Sequence, residues 1–309
     1  MVAASISRSP RWWAMSAAAV SIALAGCAGS GGGGGPYVQA VPPTPQPPAR
    51  NTSLDIIKDA PSGVLAVAGG SSSAADATFA SVTIRAADQP SFRYDAATDV
   101  YEIKLPSGSW EKLSTTDATL PEWARRATSD STAVQLGLDR KLDTADPFPY
   151  STMVEYWAGT TFGWLALGVP TADAELPTSG SATFDGIIRG SADYWVDDGW
   201  GGLKPSDVEG TVTLAFDFAK GSLTGSMQPF LWAGAAGKQS LGTFDFRDAV
   251  YSAGHYSGSF VTDVPGVNGF NGQLTGPNGQ ELIGGWALPF VFDSANHQAF
   301  GAWVAKTTH

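Results

Sequence analysis

The chain has 309 residues, with 18 basic and 29 acidic side chains and a net charge of −11 at pH 7. This acidic balance argues against nucleic acid as a partner and against electrostatic docking on anionic lipid. One cysteine, Cys27, excludes an internal disulfide framework and a thiolate metal site.

The N-terminus reads as an export signal. Arg8 and Arg11 form a short positive region, no acidic residue occurs before Asp55, and Trp12 to Ala25 is apolar and Ala-rich. Leu24-Ala25-Gly26-Cys27 resembles the lipobox of bacterial lipoproteins, which implies a signal peptide over 1–26 and a lipid on Cys27. A transmembrane anchor is the competing reading, but Ala and Ser are weakly apolar and no basic stop-transfer cluster follows. Loss of residues 1–26 removes two basic and no acidic side chains, leaving a mature chain at −13. The expected membrane contact is therefore through the N-terminal lipid, whose chains contribute about 0.8 kcal/mol per buried methylene.

Residues 27–50 read as a tether. Ser30 to Gly35 is nearly all glycine and Val41 to Pro48 is proline-rich, so neither can bury a core. A flexible coil of this length reaches on the order of 25–30 Å.

Residues 51–170 predict a small β-rich unit. Phe79 to Ile84 and Val100 to Leu105 alternate apolar and polar residues, and Asp95 to Asp99 suits a turn after Phe92-Arg93-Tyr94. Pro121 to Ala127 (PEWARRA) is the best helical stretch, with proline in its first turn. Tyr150 to Trp157 and Thr160 to Leu167 read as aromatic-rich strands with core-facing rings.

Residues 171–309 predict eight strands, near 180–195, 208–218, 222–231, 240–247, 255–262, 268–276, 279–289 and 298–306. Val212, Leu214, Phe216 and Phe218 alternate with mostly polar residues, the period of a half-buried strand. An even number of hairpin-linked strands can close up-and-down, which removes the sheet edges. Gly225, Gly258, Gly272 and Gly284 suit sharp curvature and tight interior packing. The fold class is thus all-β, an eight-stranded antiparallel up-and-down barrel behind a smaller β-rich unit. An integral outer-membrane barrel is the structural rival, disfavoured by the lipobox, by Pro229 and Pro289 within strands, and by weak aromatic girdles.

Several segments are similar to one family. They are Pro177 to Phe184 with Gly186 and Gly190, Thr211 to Phe218 with Leu223-Thr224-Gly225, Leu274 to Trp286, and Ala299 to Trp303 followed by Lys306. Gly168-Val169-Pro170-Thr171 adds a fifth. Together they resemble the transferrin-binding-protein-like β-barrel surface lipoproteins of Gram-negative bacteria, closely over 150–306 and loosely over 78–149. The resemblance implies a β "handle" leaning on the barrel, attachment to the outer membrane by lipid, and a binding rather than catalytic role. Family members bind host transferrin, haemoglobin, haem or complement regulators. This chain carries one handle and one barrel where the transferrin-binding members carry two of each, and its inter-strand loops read as short.

Catalytic and metal signatures are weak. His255, His297 and His309 lack zinc spacing and a cysteine partner, so no metal or cofactor is called for, and a solvated role is expected. His255 and His297 are both compatible with one rim of an antiparallel barrel. Asp193, Asp197 and Asp198 lack EF-hand spacing, which favours an acidic turn-rich loop over calcium. The one site-like feature is the loop from Tyr194 to Gly202, with Trp195, Asp197, Asp198 and Trp200 among glycines, and Trp232 in the next long connection. Two readings stand: exposed tryptophans for recognition, or Trp195 facing the interior with Trp200 as a lid. The function expected is an outer-membrane-anchored lipoprotein binding a protein or haem ligand through loops. The alternative is a structural envelope lipoprotein with no soluble ligand.

Overall fold

The computed structural model describes residues 63–75, 78–95, 97–98, 100–113, 124–128, 133–138, 148–199 and 202–308. Within them, the regular elements are strands and four short 3-10 turns. β1 (Gly63–Val64), β2 (Ala66–Ala75), β3 (Thr78–Thr83), β4 (Ser91–Asp95), β5 (Val100–Lys104) and β6 (Trp110–Lys112) come first. β7 (Ala124–Thr128), β8 (Ala133–Leu138), β9 (Ser151–Ala158) and β10 (Thr161–Gly168) complete the handle. One sheet runs β1-β4-β5-β6 and the other β3-β2-β10-β9-β8-β7.

The four-stranded sheet follows its sequence pattern. Phe92, Tyr94, Tyr101 and Ile103 alternate inward, and Tyr94 sits directly opposite Tyr101 with ring centroids 4.5 Å apart. The turn after β4 is held by the Asp95 carboxylate, which accepts from Ala97 N and Thr98 Oγ1. These rings pack on Leu136, Val154, Tyr156, Leu165 and Leu167 of the six-stranded sheet.

The barrel is built from β11 (Ser181–Asp197), β12 (Leu203–Asp217), β13 (Ser222–Trp232), a short β14 (Lys238–Ser240), β15 (Phe244–Ser252), β16 (His255–Phe260), β17 (Gly269–Thr275), β18 (Glu281–Phe292) and β19 (Ala295–Thr307). Leaving β14 aside, each strand pairs antiparallel with the next, and β19 returns to β11. The result is a closed eight-stranded up-and-down barrel. β14 only extends one end of β13.

Large rings and glycines fill the interior together. Trp286 and Trp303 are fully buried. A Cβ on Gly284 would lie 2.2 Å from Trp303 Nε1, and one on Gly301 would lie 2.6 Å from the Trp286 ring. Buried polar tips are satisfied: Trp303 Nε1 donates to Tyr256 Oη (2.8 Å), which donates to the Ile283 carbonyl (2.7 Å). The interior is therefore a core, not a container.

The handle closes against the outer wall of β18 and β19. Ala66, Ala68, Met153 and Ala166 meet Ile283, Ala302 and Val304, while Phe162 meets Ala287 and Phe300. Gly285 lets the backbones touch, since a Cβ there would lie 2.4 Å from Gly69 N. The wall away from the handle is polar: Glu209, Thr211, Thr213, Gln228, Asp245 and Arg247 point outward, which suits water rather than acyl chains.

Three expectations are corrected. The helix expected over 121–127 is instead strand β7 from Ala124, because pairing with β8 satisfies its backbone in a sheet; residues 121–123 lie outside the described residues. The segment expected near 240–247 is displaced to Phe244–Ser252, because an 11-residue connection that contains β14 precedes it, so not every loop is short. His255 starts β16 at the rim nearest the handle connection, whereas His297 lies in β19 at the opposite rim.

Candidate functional site

The eight strands define two rims. The near rim carries short turns at 218–221, 253–254 and 276–280, and the connection after β10 is stitched to it. There Thr171 Oγ1 donates to the Gly276 carbonyl (2.9 Å), Gly276 N donates to the Val169 carbonyl (2.8 Å), and Pro170 bridges Thr275. The distal rim carries 198–202, 233–243, 261–268 and 293–294, and it holds the residues singled out from the sequence.

A bulge between Ala192 and Trp195 sets the local geometry. Beyond it Trp195 pairs with Pro205, the neighbour of interior-facing Ser206, so Trp195 turns to the outer face, while Tyr194 packs on the barrel core after Ala192. Trp195 is half-buried, and its Nε1 is enclosed without a hydrogen-bond partner. The two aspartates serve the loop itself. Asp197 Oδ1 accepts from Gly199 N (2.7 Å), and Asp198 Oδ1 accepts from Gly202 N (2.9 Å). Such turns fix the hairpin by side-chain capture of backbone donors. Trp232 ends β13 at 39% exposure; its carbonyl accepts the buried Ser206 hydroxyl, so its backbone is anchored while its ring stays open. Trp200 and Cys27 lie outside the described residues.

The same bulge creates a cluster that sequence reading did not assemble. Asp193 Oδ1 accepts from Gln298 N (2.9 Å) and sits 3.0 Å from His297 Nδ1. The His297 ring stacks on Phe290 and meets Tyr194 edge-on, and Tyr194 meets Phe292. Burial and the neighbouring Asp293 carboxylate push the Tyr194 phenol up. The signal was the pair Asp193 and His297, but 104 residues separate them and only the β11–β19 closure brings them together. Among the described residues no cluster of three or more His, Cys, Asp or Glu is placed to hold a metal.

The apolar side chains give the distal rim its character. Among the described residues, seven large apolar side chains are strongly exposed. Five of them lie there: Leu203 (53%), Trp232 (39%), Val261 (54%), Val267 (40%) and Val291 (55%). They sit on four connections around the barrel mouth, in a setting where Asp197, Asp263 and Asp293 supply negative charge. Exposed apolar groups gathered this way mark interaction surfaces.

Comparison with known proteins gives structural likeness only. No protein-family model matches the chain, and no curated protein matches it. A solved mutant of transferrin-binding protein B from Haemophilus parasuis is 14% identical, with TM-score 0.41, covering 79% of this chain and 45% of that one. Transferrin-binding protein B from Neisseria meningitidis is 13% identical, with TM-score 0.38, covering 79% and 44%. The N-lobe of lactoferrin-binding protein B from Moraxella bovis is 14% identical, with TM-score 0.31, covering 79% and 98%. The chain thus spans less than half the length of the two transferrin-binding structures. Its handle-and-barrel fold is similar to the lobes of transferrin- and lactoferrin-binding proteins B.

Proposed function

We propose that this chain is an outer-membrane lipoprotein, anchored through Cys27, that binds a protein ligand with the distal rim of its barrel. Residues 51–170 serve as the handle, 171–309 as the barrel, and 27–50 as the tether. The observation that carries the reading is the gathering of exposed Leu203, Trp232, Val261, Val267 and Val291 at the rim farthest from the handle connection. The interior is filled by Trp286, Trp303 and their neighbours, which favours a surface mode of binding over an enclosed one. The loop that carries Trp195 and, in the sequence, Trp200 belongs to the same rim, and Asp197 and Asp198 shape it. The charge near the rim favours a partner with basic groups around an apolar patch.

The test is capture by the full chain. Transferrin, lactoferrin and haem are the first ligands to offer, followed by proteins co-purifying from host serum. Trp232→Ala and Leu203→Ser should each weaken protein capture about tenfold or more, while melting within a few degrees of wild type. Capture unaffected by both substitutions would place binding elsewhere, and capture of haem alone would exchange the ligand class.

A further inference from the structure

A separate feature lies on the side wall of the barrel, toward the near rim around the turn at 253–254. Between the handle and the outer face of β15–β17 is an open crevice of about 410 Å³. Val67, Ala68 and Ala86 line it on the handle side, and Val250 lines it on the barrel. Two cross-strand rows form its polar part. Ser252 pairs with His255 and His255 with Gln273, while Val250 pairs with Ser257 and Ser257 with Asn271.

One polar side chain in these rows is committed to the handle and four are not. Asn271 Nδ2 donates to the Ile84 carbonyl (2.6 Å), which ties the crevice wall to the handle. The side chains of Ser252, His255, Ser257 and Gln273 have no hydrogen bond within the described residues. Hydroxyl, amide and imidazole groups therefore converge beside an apolar base of valine and alanine. Among the described residues, no carboxylate, ammonium or guanidinium lines the crevice.

That chemistry selects a ligand by elimination. An ion would lose water without gaining a counter-charge. A wholly apolar molecule would strand four polar groups. An extended peptide needs a free strand edge, but β2, β15, β16 and β17 each have a neighbour on both sides. A neutral molecule with several hydroxyls and apolar C–H faces satisfies both rows and the base. The volume falls in the range of small-molecule sites. We propose that this crevice binds a neutral saccharide of one or two rings, independently of the rim.

The experiment titrates the full chain with glucose, galactose, N-acetylglucosamine, maltose and lactose, and follows backbone amide shifts by NMR. The expected result is saturable shifts by at least one sugar, centred on 67–68, 86, 250–257 and 271–273. Gln273→Ala and Ser257→Ala should each weaken that sugar about tenfold, the size of one lost hydrogen bond. Ala86→Phe, placed at an exposed position, should plug the crevice and abolish the shifts, whereas Trp232→Ala should leave them unchanged. The proposal fails if no sugar shifts these residues up to about 10 mM. It fails equally if Ala86→Phe and Gln273→Ala both bind like wild type, or if a peptide or inorganic phosphate binds there and the sugars do not.

Discussion

Replacing Glu281 with glutamine should remove much of the protein's loss of stability between pH 4.5 and 8. Glu281 opens β18 at the seam between handle and barrel, only 2% exposed. Its Oε2 accepts from Ser151 Oγ (2.6 Å) and Tyr150 N (3.1 Å), and Lys306 faces it across the ladder. Burial outweighs these partners and pushes the carboxyl from 4.5 up to about 7. A folded value above the unfolded one means stability is fully present below pH 4.5 and declines as pH rises through about 7. At about 1.36 kcal/mol per pH unit, the decline approaches about 3 kcal/mol by pH 8. For a folded unit of this size that is about 6–12 °C in Tm. Glutamine retains the acceptor oxygen without the charge. Thermal melts of Glu281→Gln and wild type from pH 4.5 to 8 should start close together and separate as pH rises, the variant melting higher at pH 8. Subtracting the two curves cancels every other titrating group. Parallel curves would refute the claim that Glu281 ionisation strains this seam.

Trp303→Ala should cost about 3–5 kcal/mol, because it empties the barrel centre and removes the donor to the Tyr256 hydroxyl; calorimetry checks this. Gly285→Val should separate handle from barrel by forcing side-chain atoms into the Gly69 backbone, and limited proteolysis should cut the handle faster than in wild type. Cys27→Ser should abolish incorporation of a fatty-acid analogue and leave the precursor uncleaved at that site. Trp200→Ala should weaken ligand capture while shifting Tm little; the reverse pattern would make Trp200 a lid.

The barrel was legible because each strand has one wet and one dry face. Val212, Leu214, Phe216 and Phe218 declare that alternation, and the glycines at 258, 272 and 284 mark where rings from neighbouring strands must fit. In the handle, β9 and β10 were legible by their aromatic content and not by alternation, because they are dry on both faces. Phe162, Trp164 and Ala166 face the barrel while Leu165 and Leu167 face the handle core, so their sequence shows no alternation. β2 was missed for a related reason. Its stretch of alanine, glycine and serine has little strand propensity, yet Gly70 is what allows the wall of β18 and β19 to approach, since a Cβ there would lie 2.9 Å from Gly301 N and from the Trp286 carbonyl.

Site legibility divides along the same physical line. A tryptophan in a glycine-rich loop stands out by composition, which is how Trp195, Trp200 and Trp232 were selected. Composition does not distinguish an aspartate that meets a ligand from one that holds its own turn. Asp197 and Asp198 accept backbone donors two and four residues away, so their carboxylates shape the loop. Nor does composition reveal that Leu203, Val261, Val267 and Val291 share a rim, because each is an ordinary residue in its own strand or connection. Their common exposure follows from barrel closure, which brings the ends of β11, β13, β16 and β18 together. A binding surface made this way has no motif in the linear chain. Its signature is that apolar side chains stay out of the core at one end of a barrel whose other end is committed to the handle, and that asymmetry is what Trp232→Ala and Leu203→Ser put to the test.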